Sequence, residues 1–152
     1  MTREFLGNSV SEAKDLKEAE LNFLKALGSL RKQNPDLKIY YLIGTVTSDG
    51  PEHIDRNLQL LKERSQKAGN VVDGIVFSAA DIFNQQLFNR FDESGAKNQD
   101  YLDFWEHVLK SGFITDLIRT PGWEKSMGAS QENRIALQEK ITIHDYPNIV
   151  HK

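Results

Sequence analysis

Apolar residues at Leu16, Ala19, Phe23, Leu27 and Leu30 recur at helical spacing, which predicts an amphipathic helix ending before Asn34-Pro35. Ser9 and Glu12, just ahead of it, have the spacing of a capping box. Residues 37–46, LKIYYLIGTV, form an unbroken apolar run rich in β-branched and aromatic side chains. Such a run predicts a strand buried on both faces. TSDGPEHIDRN follows with turn chemistry, and Pro51 falls near a first helical position. Ile54, Leu58, Leu61 and Ser65 then mark the inner face of a helix that ends near Ala68-Gly69, with Gly69 as its cap.

Residues 71–79, VVDGIVFSA, read as a second strand. The polar stretch 84–99 reads as a long mobile loop holding a short helix. Residues 100–112 are helical, with Phe104, Val108 and Leu109 facing inward. FITDLIRT gives a third strand, residues 121–137 open a helix, and residues 140–146 give a fourth strand. Alternation of strands and helices predicts an α/β fold with a mostly parallel sheet of four to five strands. The expected division is an N-terminal helical extension over 1–36 and an α/β domain over 37–152. In such sheets ligands bind beyond the carboxyl ends of the strands, where strand order reverses. The loops at 44–50 and 121–126 both follow strands and are expected to meet on that edge.

Composition narrows the field. The chain has 152 residues, 39% hydrophobic and 27% charged, enough for one packed core. Its net charge of −3 argues against bulk electrostatic binding to nucleic acid or to an anionic membrane. Without cysteine there is no disulfide, thiolate metal site or thiol nucleophile. His53, His144 and His151 are scattered without metal-ligand spacing, so neither metal nor cofactor is expected. The first residues lack an apolar signal region, and no run approaches the ~20 apolar residues of a membrane span. A soluble cytoplasmic protein is expected.

The candidate chemistry lies in PGWEKSMGASQENRIAL, where Ser126, Gly128 and Glu132 form S-x-G-x-x-x-E. A helix starting near Ser126 would present the serine hydroxyl and its first N–H groups to an anion, while Gly128 and Ala129 leave room for a ligand to approach. Glu132 follows about one and a half turns further in. The same residues also read as an ordinary serine cap, small packing residues and a solvated glutamate.

YLIG at residues 41–44, TDLIRTPGWEKSMGASQENRIA and ITIH together resemble the nucleoside 2-deoxyribosyltransferase-like superfamily, in particular its small uncharacterised members. The matching residues are Tyr41, Gly44, Asp116, Pro121, Gly122, Trp123, Ser126, Gly128, Ala129, Glu132 and Ala136, and the resemblance covers roughly residues 38–146. It implies a flavodoxin- or Rossmann-like three-layer fold and chemistry at an N-glycosidic bond. Glu132 would be the nucleophile that attacks the anomeric carbon, and Tyr41 would orient it, unless Tyr41 is simply a core aromatic. Nucleoside transferases of the superfamily carry an acidic residue at the position of Ser126, whereas nucleoside-monophosphate N-glycosidases carry serine. The resemblance therefore implies a phosphorylated nucleotide as ligand, held by Ser126, Gly128, Ala129, Gly44 and Thr45. Trp123 either stacks on a base or is structural. Catalytic relatives carry an aspartate eight residues ahead of the position of Asp116; here that position is Val108. His107 is the nearest substitute proton donor, or a surface residue. The alternatives are a nucleotide-sensing module without turnover and a nucleoside 2-deoxyribosyltransferase. Relatives are commonly dimers or larger, so a homo-oligomer is expected.

Overall fold

Every residue of strand β1 (Ile39–Ile43) is buried, because layers of helix cover both faces of the sheet. The structure, a computed structural model, describes residues 3–46 and 50–151. Strands β2 (Ile75–Ser78), β3 (Asp116–Arg119) and β4 (Thr142–Asp145) join β1 in a four-stranded, all-parallel sheet of order β2-β1-β3-β4. Tyr41 sits at its centre, aligned with Phe77 on one side and Leu117 on the other. This is the α/β fold with a parallel sheet that the alternation predicts, in the three-layer, flavodoxin- or Rossmann-like arrangement that the resemblance implies.

One face of the sheet packs on helix α3 (Ile54–Gly69) and the C-terminal turn, through Tyr40, Leu42, Leu61, Ala68, Ile118 and Ile149. The opposite face carries the larger core. Helices α1 (Arg3–Val10), α2 (Leu16–Gln33), α6 (Asn98–Lys110) and α7 (Met127–Gln138) all contribute to it. Phe23 of α2 lies 5.6 Å from the Phe77 ring, 5.9 Å from Phe104 and 6.1 Å from Trp105. The N-terminal helices thus share the core of the sheet domain. Strand order reverses at β1, so the carboxyl ends of β1 and β3 flank a crevice.

Several local expectations are corrected. Ser9 and Glu12 make no capping box: Ser9 lies inside α1, where its hydroxyl donates to the Leu6 carbonyl. Asp15 caps α2 instead, accepting from the N–H of Glu18 at 2.8 Å. Gly69 is the last residue of α3 rather than its cap, which is Asn70 in right-handed geometry. The stretch 84–99 is largely helical. Asn84 caps α5 (Gln85–Glu93), which buries Leu87 and Phe91, and α6 begins at Asn98. Short helix α4 (Ala79–Ile82) precedes α5, started by a capping box between Ser78 and Asp81.

Candidate active site

Glu132 lies in the second turn of α7, only 8% exposed, on the face turned toward β1. There the Tyr41 hydroxyl donates to Glu132 Oε2 at 2.5 Å. Burial pushes the Glu132 carboxyl up to about 8, and the Tyr41 hydrogen bond works in the opposite direction. Burial, then the charge and hydrogen bond of Glu132, push the Tyr41 hydroxyl well above its usual range, so tyrosine remains the donor. The Tyr41 ring is held by stacking on Trp105, with centroids 4.6 Å apart, and on Phe77 at 5.2 Å. An aromatic column therefore fixes the hydroxyl that orients the carboxyl.

The pair opens on a cavity of about 330 Å³ at the carboxyl end of β1. Gly44, Val46, Ser126, Gly128 and Ala129 line one side of it. Gly44 has a steric reason to lack a side chain, since a Cβ there would lie 2.4 Å from Thr120 Oγ1 and 2.7 Å from Leu61 Cδ2. Gly122, at φ 86°, turns the chain after β3 into a short 3-10 turn and then α7. Ser126 is the N-cap of α7: buried, with its hydroxyl oxygen accepting from the Ala129 N–H at 3.3 Å. Helix geometry leaves the N–H groups of Met127 and Gly128 without intrahelical partners, and both residues line the cavity. Among the described residues, no lysine or arginine lines it. The positive end of α7 is thus its anion-attracting element.

No family model, curated protein or solved structure matches the chain.

The structure brings Tyr41, Gly44, Ser126, Gly128, Ala129 and Glu132 together around one cavity. It does not bring His107 there. Helix α6 turns Asn98, Tyr101, Leu102 and Trp105 to the cavity, at helical spacing. Two residues past Trp105, His107 points away, and its Nδ1 lies 2.7 Å from Glu20 Oε1 of α2 on the exposed side. Val108, where the resembling family carries an aspartate, is fully buried in the core. Trp123 also lies outside the lining; the Arg119 guanidinium packs over its ring at 4.8 Å. Arg119 itself grips Asp145 through two hydrogen bonds, of 2.8 and 3.0 Å. Thr45 is half-buried between two lining residues without lining the cavity itself, and residues 47–49 of its loop lie outside the described residues. Among the described residues, no group of acidic or histidine side chains has the arrangement of a metal site. Among the described residues, no helix is long and apolar enough to cross a membrane.

Lining residues that the sequence pattern does not single out include Phe83, Phe88, Asp92, Tyr101 and Trp105. The signal for two of them was the i, i+4 spacing of Tyr101 and Trp105 on a helix. Asp92 had none, since a lone aspartate in a polar stretch is indistinguishable from a solvated one.

Chemically, the site offers one buried carboxyl, a fixed hydroxyl donor and a helix N-terminus within a single cavity. A carboxylate in such surroundings can attack an electrophilic carbon and form an ester that water later cleaves.

Proposed function

We propose that the protein cleaves the N-glycosidic bond of a nucleoside 5′-monophosphate, ribo or deoxyribo. The Glu132 carboxylate attacks the anomeric carbon, and the C–N bond breaks with its electron pair leaving on the base. The base takes up a proton from water. Water then hydrolyses the glycosyl ester, as in retaining glycosidases. Tyr41 orients the nucleophile throughout. The phosphate would rest against the N-terminus of α7, accepting from the backbone at Met127 and Gly128 with Ser126 beside it. The carrying observation is the 2.5 Å contact from the Tyr41 hydroxyl to Glu132 in the wall of the cavity that this N-terminus also lines.

A second reading is favoured by Val108: with an apolar core residue where the resembling family carries its acid, the same cavity would bind a nucleotide without turning it over. A screen of nucleoside monophosphates for released free base separates the two. Base release by the wild type that drops roughly a thousandfold or more in Glu132→Gln supports cleavage. Binding without release supports the sensing module. Unchanged release in Glu132→Gln removes Glu132 from the mechanism.

A further inference from the structure

The end of the cavity contributed by α5 and α6 is built differently from the end at α7. Phe83 and Phe88 stack there at 5.5 Å with their planes 29° apart, and Tyr101 meets the Phe88 edge at 5.5 Å. Phe88 and Tyr101 are half-buried and line the cavity, so they offer π-faces to a planar ligand. Beside them, Asp92 in the last turn of α5 also lines the cavity and accepts from the Tyr101 hydroxyl at 2.9 Å. A carboxylate only accepts, and its two oxygens carry about four lone-pair sites, of which tyrosine occupies one. Tyr101 holds its own proton firmly: burial first, then Asp92, push its hydroxyl well above the usual range. The carboxylate is thus aimed by a fixed donor, with acceptor capacity left over at the edge of an aromatic slot.

We propose that Asp92, positioned by Tyr101, is the specificity residue that selects a nucleobase carrying an amino group. This deepens the function proposed above and rests on it. An exocyclic amine donates to the carboxylate in a charge-assisted hydrogen bond, whereas an oxo group at the same ring position meets it acceptor to acceptor. The two ends of the cavity then divide the ligand, with phosphate at α7 and base at α5 and α6.

Binding by calorimetry to adenosine against inosine monophosphate, and cytidine against uridine monophosphate, tests this without requiring turnover. Within at least one pair the wild type should favour the amino-bearing member by about tenfold or more, the effect of one hydrogen bond to a charged group. In Asp92→Asn, whose amide both donates and accepts, that preference should shrink at least tenfold. Asp92 is exposed, so the variant is expected to fold, and its thermal melt checks this. Tyr101→Phe should weaken the preference in part. Three results overturn the proposal: equal affinity within both pairs, a preference that Asp92→Asn leaves intact, or a uniform loss across all four nucleotides. Base release that persists with an unaltered ranking would sink this inference alone, while an Asp92-dependent ranking without base release would sink cleavage alone.

Discussion

Glu132 carries its charge at a cost that pH exposes. In the unfolded chain its carboxyl titrates near 4.5, and in the folded protein near 8. Below pH 4.5 both states hold the proton. Between 4.5 and 8 the folded state holds a proton that the unfolded state has lost, so this residue's contribution to stability falls as pH rises through that window and levels off above it. Glu132→Gln keeps an acceptor for the Tyr41 hydroxyl without the charge. It should be more stable than wild type at pH 8 by of order 4 kcal/mol, and the gap should close toward pH 5. Urea midpoints for the two proteins across that range measure the gap directly, and a constant difference would contradict the shift. Tyr41→Phe removes the one interaction that lowers the Glu132 pKa. The rising limb of base release should therefore move to higher pH in that variant, together with a lower maximal rate. A pH–rate profile that keeps its midpoint would assign Tyr41 to packing alone.

Helix α7 is the element on which the proposed ligand class turns. Its start was legible because Ser126 is a strong cap followed by small residues, and the cap geometry is as expected. Aspartate also caps well, so Ser126→Asp should keep the helix while placing a negative charge at its mouth. A nucleoside monophosphate should lose at least about tenfold in affinity relative to the matching nucleoside, measured by calorimetry on the pair. Indifference to the substitution would leave Ser126 as a cap only. The strands were legible for a different reason: β1 is apolar at all five positions and Val76 and Phe77 follow the same rule. Helices α5 and α6 were harder. Only Leu87 and Phe91 of α5 are buried, two positions in nine, so its polar majority imitates a loop. In α6 the buried residues are Phe104, Trp105, Val108 and Leu109, one apolar stripe that takes in Trp105 beside the three positions expected to face inward. His107 was a candidate because it adjoins Val108 in sequence, but on the helix it falls outside that stripe and meets Glu20 instead.

The whole molecule is built on a sheet whose strand order reverses at β1, with a core on each face, and its N-terminal helices belong to the larger of the two. Phe23 touches Phe77, Phe104 and Trp105, and Trp105 in turn stacks on Tyr41. Phe23→Ala should cost about 3–5 kcal/mol in denaturant unfolding, the usual range for emptying a packed aromatic site. A cost below 1 kcal/mol would mean that α2 only rests against the domain. The aromatic column also has an optical consequence. The chain holds two tryptophans, in opposite settings. Trp123 is half-buried under a guanidinium outside the cavity, while Trp105 is 7% exposed, lines the cavity and lies flat on the tyrosine that touches Glu132. With Trp123 replaced by phenylalanine, the remaining indole emission comes from the cavity wall itself. The protein then carries its own fluorophore beside Tyr41 and Glu132, and a titration with unlabelled nucleotide would report occupancy of the site as light.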